Sequence, residues 1–421
     1  MNTDMKTSLN RIILIVTVSC FFLSAHAQVI SEWRGPGRTG VYNETGLLTK
    51  WPEGGPKLLW SVTGLAKGNS SVAIGKDKIY LTGTKGDIEV LIALDMKGNR
   101  LWETPYGRAF TESFTESRAT PTIDGNRIYV TSGMLDAACV DAETGKIIWS
   151  KKVNDDFSGA MGTWGKCESP IVLGEKVFFT PAGNKTTMVA LNKMTGETIW
   201  QSESLNDISS YVSPLLVDIN GKQIIVQVTQ NYIIGVSPQD GKILWKFNFG
   251  ALAQPDGANI HANTPLYWNQ CLFVTSGYDH PNVMLKLADD GNSVTELWSD
   301  KTLDNHHGGV VRIGSYIYGS NWINNNKGRW VCLDWNTGKP TYETDWYNKG
   351  QIIADDGMLY CYEEKTGNFA LVKATPEKFD IVSAFKVPLG SGPHWPHPVI
   401  SNGILYVRHG DALMAYDIKS H

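Results

Sequence analysis

Short apolar runs recur along the chain, and each is followed by a polar turn that contains glycine. In the segment 138–149, the apolar run Ala138–Val140 leads into the turn Asp141–Gly145, and a second apolar run ends at Trp149. Runs rich in Val, Ile and Tyr that are separated by Gly, Asp and Asn are typical of short β-strands joined by tight turns. The pattern therefore predicts an all-β protein.

The hairpin pattern also repeats at a regular interval. The aromatic residues that close successive copies are Trp60, Trp102, Trp149, Trp200, Trp245, Trp298, Tyr342 and Phe385. They are spaced about 45 residues apart, a length that accommodates four short strands and their turns, which is one blade of a β-propeller. Seven intervals between eight aromatics predict seven complete blades.

The two ends of the chain supply an eighth blade. The tail His394–Lys419 contains three strand-like runs, and Pro56–Val62 is a strand-like run with no partner before it. We therefore predict an eight-bladed β-propeller of four-stranded antiparallel blades, whose last blade is closed by the N-terminal strand. Closing the ring in this way leaves no open sheet edge.

The repeat resembles that of the pyrroloquinoline-quinone-type (PQQ-like) propeller family, in which A-x-D-x-x-T-G-x-x-x-W closes each blade. Asp141–Trp149 and Asn192–Trp200 are the best copies, and the resemblance covers roughly residues 56–420. It implies that Trp60, Trp102, Trp149, Trp200, Trp245, Trp298 and Tyr342 stack between blades. The quinone-dependent dehydrogenases of this family commonly carry adjacent cysteines beside the quinone, and fused versions carry C-x-x-C-H; both are absent here.

The N-terminal region precedes the ring. Lys6 and Arg11 come before the apolar run Ile12–Leu23 and a small-residue cleavage site at Ala27, which predicts a signal peptide over residues 1–27. The protein is then expected in the periplasm or secreted. A lipid anchor at Cys20 is not favoured because the apolar run continues past it, and no later stretch is long enough to span a membrane.

Residues 28–55 are irregular and rich in Gly and Pro, and we expect them to form a strap across the blades, anchored by Trp33 and Trp51. Residues 56–421 are predicted to form a single propeller domain. The net charge of −4 argues against a nucleic-acid partner. The five cysteines after the signal peptide are odd in number and lie mostly on strand-like runs, so we expect buried free thiols.

Function is expected at one end of the ring. The long linkers between blades and the loops between second and third strands lie on the same face, and loops on a rigid scaffold commonly bear function. Polar residues at the starts of the inner strands should converge on the channel mouth there. The candidate ligand-binding residues are Arg118, Glu168, Tyr211, His261, Asn263, His306, His307, Lys349, His394, Trp395 and His397.

Seven histidines fall on this face, namely His261, His280, His306, His307, His394, His397 and His409. Imidazoles serve as ligands and as acid–base groups near neutral pH, although some of these could instead cap inner strands. No local metal-binding motif is present, so no metal ligand is assigned. A divalent metal would need ligands from several blades, such as His261, His307 and His394. His306 and His307 should point to opposite sides if the chain is extended there.

Three functions remain open at this stage. The first is binding of a polar small molecule or glycan at the channel mouth, where Trp164, Trp322 and Trp395 could stack on sugar rings. The second is a scaffold for envelope proteins, similar to the outer-membrane assembly lipoprotein of this fold. The third is quinone-dependent oxidation with pyrroloquinoline quinone, which the missing motifs disfavour. Fold alone does not choose among them or decide whether the protein is an enzyme.

Overall fold

The computed structural model describes residues 30–253 and 257–420, so the predicted signal peptide lies outside the described residues. Within these ranges the regular structure is almost entirely β, arranged as eight antiparallel sheets around a central channel. The predicted all-β, eight-bladed propeller of four-stranded blades is confirmed. One short α-helix, α1 (Val153–Asp156), and 3₁₀ turns at Pro36–Arg38 and Gly250–Leu252 interrupt the strands.

The strands follow one another from the channel outwards within each blade. Two strands precede the first blade, β1 (Ile30–Ser31) and β2 (Lys57–Val62). Blade 1 contains β3 (Ala73–Ile74), β4 (Lys78–Lys85), β5 (Ile88–Asp95) and β6 (Arg100–Arg108). Blade 2 contains β7 (Thr122–Asp124), β8 (Arg127–Thr131), β9 (Asp136–Asp141) and β10 (Ile147–Lys152). Blade 3 contains β11 (Ile171–Leu173), β12 (Lys176–Phe179), β13 (Val189–Asn192) and β14 (Thr198–Gln201).

The same order continues around the ring. Blade 4 contains β15 (Leu215–Ile219), β16 (Lys222–Val228), β17 (Tyr232–Val236) and β18 (Ile243–Asn248). Blade 5 contains β19 (Leu266–Trp268), β20 (Cys271–Val274), β21 (Asn282–Leu287) and β22 (Val294–Asp300). Blade 6 contains β23 (Val310–Ile313), β24 (Tyr316–Ser320), β25 (Trp330–Asp334) and β26 (Pro340–Thr344). Blade 7 contains β27 (Gly350–Asp355), β28 (Met358–Glu363), β29 (Asn368–Lys373) and β30 (Asp380–Lys386). Blade 8 contains β31 (Val399–Ser401), β32 (Ile404–His409) and β33 (Ala412–Asp417).

The N-terminal strand closes the ring as predicted. β2 pairs antiparallel with β33, with Trp60 opposite Ala415 and Val62 opposite Leu413. Strand β2 is thereby the outer strand of blade 8, whose sheet order is β2-β33-β32-β31. The two chain ends are held in one sheet, which removes the open edge that either end alone would leave.

The repeated tryptophans join each blade to the next. The indole N–H of Trp149, on β10, donates to the carbonyl oxygen of Lys193 at 2.9 Å, in the turn that follows β13 of blade 3. The ring covers Gly196 of that turn, where φ is 76° and an added Cβ would lie 2.9 Å from the indole. Trp102, Trp200 and Trp298 donate in the same way to Glu143, Pro238 and Trp335. The tryptophan of one repeat therefore packs against the turn glycine of the next repeat, across the boundary between two blades.

Trp245 departs from this pattern. Its indole nitrogen is buried and has no hydrogen-bond partner among the described residues, and its ring packs against Gly235 of its own blade. The turn of blade 5, at Gly291, packs instead against Ile224.

The segment after β1 runs inside the channel. β1 pairs with the inner strand β7, antiparallel to it, and Val41 forms a parallel bridge with Ala354 on the inner strand β27. Inner strands start at the mouth, so the segment ascends along blade 2, turns at Pro36–Arg38 and descends along blade 7. Two buried arginines fix this turn to further blades: Arg38 donates to the carbonyl oxygens of Ser169 and Pro170, and Arg34 to that of Val310.

Trp51, by contrast, lies in the hydrophobic core between blades 7 and 8. It is 2% exposed and packs edge-on against Phe369 and Phe385 of blade 7. The two tryptophans expected to be anchors therefore have different environments, because Trp33 lies near the turn of the segment at the channel mouth and contacts His397 there.

Candidate functional site

A cavity of about 420 Å³ lies at the channel mouth, above the turn of the N-terminal segment. Trp33 belongs to its lining, together with residues from the long linkers and loops that the sequence placed on this face. The described residues that line it are Trp33, Asn69, Phe114, Arg118, Trp164, Cys167, Ser169, Tyr211, Ser213, Ile260, Ala262, Tyr278, His306, His307, Asn325, Glu364, Lys365, Trp395 and His397. The volume is in the range of small-molecule binding sites.

Aromatic rings form a nearly continuous wall. Trp164 contacts Tyr211 at a centroid distance of 5.6 Å and lies nearly parallel to Tyr278, with centroids 6.4 Å apart. On the other side, Trp395 contacts Phe114 at 5.5 Å and His307 at 5.2 Å. Flat, apolar faces with polar edges therefore surround the cavity.

Two of these aromatics have unusual backbone conformations. Phe114 has φ of 46° and Tyr278 has φ of 63°, and Asp279 directly after it also has a positive φ. The left-handed region is unfavourable for bulky residues, and such strain is concentrated at functional sites. The hydroxyl of Tyr278 is held by the Nε2 atom of His306 at 2.8 Å, which fixes the ring at the cavity wall.

The structure brings six of the eleven predicted site residues to the cavity wall. These are Arg118, Tyr211, His306, His307, Trp395 and His397. The guanidinium of Arg118 donates to the backbone carbonyl oxygens of Trp164, Ser113 and Phe114, so it organises two linkers as well as lining the cavity. The hydroxyl of Tyr211 accepts from the backbone N–H of Trp164 at 3.1 Å. His397 packs edge-on against Trp33 at 5.4 Å.

Both adjacent histidines face the cavity because the chain is not extended at that point. His306 and His307 lie in the linker between β22 and β23, and their ring centroids are 4.2 Å apart. The side chain of Asn305 bonds both the N–H and the carbonyl oxygen of Gly309, which closes the linker into a compact bend. Burial is the main cause of the lowered pKa of both imidazoles.

Asn263 and Lys349 lie outside the cavity lining and support it. Asn263 donates to the carbonyl oxygen of Asn305 at 2.7 Å and accepts from the N–H of Gly309, so it positions the histidine linker. The Nζ atom of Lys349 lies 3.0 Å from Oε1 of Glu364 and also donates to the carbonyl oxygen of Asn324.

His261 and His394 are buried structural groups. Nδ1 of His261 bonds the Ser276 hydroxyl at 2.8 Å and Nε2 bonds the Gln230 carbonyl oxygen at 3.0 Å, so neither nitrogen is available to a ligand. His394 stacks on His409 at 3.7 Å and bonds the Tyr362 hydroxyl. Burial lowers the pKa of each to about 3. A metal site built from His261, His307 and His394 is therefore excluded, because two of them are engaged elsewhere.

Glu168 does not pair with Arg118. Its side chain is buried beside Lys166 and accepts from the backbone N–H of Thr180 at 3.1 Å. Burial raises the pKa of Glu168 to about 7, and the charge of Lys166 acts in the opposite direction. Burial lowers the pKa of Lys166, whose ammonium is surrounded by the Thr180 and Pro181 carbonyl oxygens. The alternating direction of side chains along the chain turns Glu168 inwards, below the cavity lining.

Sequence reasoning missed Glu364 and Cys167. Glu364 follows β28 in the loop between the second and third strands of blade 7, the class of loop expected on this face, but that loop is short. Cys167 lies in the aligned position before β11 and its thiol is 3.7 Å from Arg118. Cys139, Cys332 and Cys361 are buried free thiols, whereas Cys167 and Cys271 are partly exposed. In the described residues, no helix has the length and apolar character needed to cross a membrane.

Comparison with known proteins relates the chain to two groups of propellers. BamB of Burkholderia pseudomallei, an outer membrane protein assembly factor, is 20% identical over 271 residues, 62% of each chain. An uncharacterised protein of Rickettsia conorii is 26% identical over 234 residues, 53% of this chain. The quinoprotein alcohol dehydrogenase PedH of Pseudomonas putida is 29% identical over 140 residues, 30% of this chain and 22% of its own. The chain spans about half the length of the Rickettsia relative that it matches.

Solved structures show the same architecture. BamB from Moraxella catarrhalis superimposes with a TM-score of 0.63 at 13% identity, over 86% of this chain and 100% of its own. A europium-containing methanol dehydrogenase gives 0.64 at 12% identity, over 90% of this chain and 88% of its own. At these identities the likeness shows a shared fold. Residues 87–344 match the family described as outer membrane protein assembly factor BamB. Because that match extends over more than half of the chain, the protein belongs to this family of PQQ-like β-propellers.

Proposed function

We propose that the protein binds a small polar ligand of the carbohydrate class in the cavity at the channel mouth. The observation that supports this most directly is the aromatic wall, in which Trp164, Tyr278 and Trp395 line one cavity. The apolar faces of sugar rings pack on such surfaces, while the hydroxyl groups need hydrogen-bond partners at the edges. Glu364 and Lys365 supply such partners on the cavity wall.

The cavity is less suited to pyrroloquinoline quinone. This cofactor is a tricarboxylate and requires several cationic groups that can pair with it. Arg118 and Lys365 are the arginine and lysine side chains among the described lining residues, and the guanidinium of Arg118 is already engaged by three backbone carbonyl oxygens. We therefore assign no quinone chemistry to this site.

The site is expected to act outside the cytoplasm. The leader-like residues 1–27 favour export to the periplasm, and the matched family is described as an outer membrane assembly factor. A second candidate function is a scaffold for envelope proteins. Apolar side chains such as Leu58, Ile148 and Leu297 are 41–53% exposed on the outer strands β2, β10 and β22, where a partner could cover them.

Titration of the protein with neutral and acidic mono- and disaccharides, followed by tryptophan fluorescence and calorimetry, tests the first proposal. We expect saturable binding that is weakened about fivefold or more in Trp164→Ala and Tyr278→Ala, because a stacked ring contributes on the order of 1 kcal/mol. Trp268→Ala is the matched control, since Trp268 is exposed and lies outside the cavity lining. Absence of saturable binding, or equal affinity in all three variants, would contradict the proposal.

A further inference from the structure

We infer that His306, His307 and Glu364 form a binding site for a divalent transition-metal ion on the wall of the cavity. One potential ligand atom from each residue lies within 4.8 Å of the others. Two imidazoles and one carboxylate are a donor set that Zn²⁺ and neighbouring first-row metals accept. The inference goes beyond carbohydrate binding and does not depend on it.

One ring nitrogen of each histidine has no hydrogen-bond partner. Nδ1 of His306 and Nε2 of His307 are both buried, and neither makes a hydrogen bond with a described residue. Buried polar atoms in native proteins nearly always have a partner, so two such nitrogens on adjacent residues whose rings are 4.2 Å apart indicate a missing ligand. Nε2 of His307 lies 3.6 Å from Oε2 of Glu364, a separation that a shared ion would bridge.

The other ring nitrogen of each histidine lies against a neighbouring polar side chain. Nε2 of His306 bonds the Tyr278 hydroxyl at 2.8 Å, and Nδ1 of His307 lies 3.4 Å from the side-chain amide of Gln351. The Oε1 atom of Gln351 is buried, and no described residue makes a hydrogen bond with it. With this amide rotated by 180°, Oε1 accepts from the Nδ1–H of His307, and the Nε2 lone pair faces Glu364. Support of this kind fixes the tautomer of metal-binding histidines.

The carboxylate is also oriented by the protein. Glu364 is 3% exposed, and Lys349 holds its Oε1 atom at 3.0 Å, which directs the carboxylate towards the histidines. Lys349 offsets one negative charge, so we expect weaker binding than at a site with two carboxylates. Three protein ligands leave at least one coordination position open to the cavity, where an oxygen atom of a bound molecule could reach it.

Calorimetric titration of the protein with Zn²⁺ alone tests the inference, with Co²⁺ absorption as a second readout of imidazole ligation. We expect one saturable site per chain, and affinity at least about tenfold lower in His307→Gln and Glu364→Gln. A matched control removes another potential ligand in the same cavity. Cys167→Ser removes the thiol, which is the most obvious competing ligand and lies outside the cluster. This variant should bind Zn²⁺ as the unmodified protein does.

The fold of each variant is checked by circular dichroism and thermal melting before titration. Lack of saturable Zn²⁺ binding by the unmodified protein would overturn the inference, as would unchanged affinity in folded His307→Gln and Glu364→Gln. Loss of binding in Cys167→Ser with retention in those two variants would place the ion elsewhere and overturn it equally. Sugar binding is measured separately in the presence of a chelator, so failure of one proposal is distinguishable from failure of the other.

Discussion

At the scale of single residues, the repeat is explained by one contact between a tryptophan and a glycine. Trp149 donates its indole N–H across the blade boundary and covers the turn glycine of the next blade, Gly196. A side chain at that position would meet the ring, and the positive φ already favours glycine there. Both residue types recur because each needs the other.

Trp149→Ala is expected to lower the free energy of unfolding by about 3–5 kcal/mol, because a large buried ring and its hydrogen bond are lost. Trp149 is 8% exposed, so little of the lost packing is recovered by solvent. Equilibrium urea unfolding gives the value. Leu101→Ala, at a 47% exposed leucine, is the control and should change stability by about 1 kcal/mol or less. Equal effects would show that the blade contact is not what stabilises the ring.

At the scale of elements, the N-terminal segment acts as a plug for the channel. It pairs with β7 on one side and β27 on the other, and its turn supplies the floor of the cavity through Trp33. Arg38 is 2% exposed and donates hydrogen bonds to the carbonyl oxygens of Ser169 and Pro170, which directly precede the inner strand of blade 3. The ion pair with Glu32 at 2.9 Å orients it.

Arg38→Ala is expected to reduce the free energy of unfolding by about 2–4 kcal/mol, because two buried carbonyl oxygens lose charge-assisted hydrogen bonds. We also expect easier proteolysis of residues 30–42, since the segment loses its attachment to blade 3. Chemical unfolding and limited digestion measure the two effects. Lys146→Ala removes an exposed cation and should be neutral. Unchanged stability of Arg38→Ala would show that the plug is held by its strand pairing alone.

At the scale of the whole molecule, the face that bears the loops contains several buried neutral imidazoles. His261 packs against His280 at 5.1 Å and against Phe249 at 4.7 Å, and both its ring nitrogens are bonded. Burial lowers the pKa of His261 to about 3, and it lowers the pKa of His280 as well. The unfolded chain binds a proton near pH 6.5, so acid favours unfolding.

The contribution of His261 to the free energy of unfolding should therefore fall as the pH decreases from about 6.5 towards 4, with a slope of up to about 1.4 kcal/mol per pH unit. Above pH 6.5 this contribution is fully present and constant. Urea unfolding at several pH values measures the slope. His261→Gln cannot bind the proton, so its stability should depend less steeply on pH over this interval. A slope identical to that of the unmodified protein would contradict the assignment of a neutral buried imidazole.

The sequence by itself determined the ring. The spacing of the closing aromatics and the turn glycines specified four strands per blade, because hydrogen-bonded hairpins are local structures whose signals lie within a few residues. The strand-like run Pro56–Val62 predicted the closure for the same reason. The unpaired strand near the N-terminus and the three strands near the C-terminus leave no open sheet edge only if they pair with each other, as β2 and β33 do. The face that bears the long loops also followed from topology.

Only the tertiary structure decided which side chains share the cavity. Glu168 and His261 occupy the aligned positions, but their side chains are buried outside the cavity lining. Glu364 lies in the lining, although the short loop that contains it gave no signal in the sequence. His306 and His307 both face the cavity because the hydrogen bonds of Asn305 to Gly309 bend their linker. The prediction that they point to opposite sides assumed an extended chain. The direction of a loop side chain depends on backbone angles and on partners from other blades, and these are set by long-range packing.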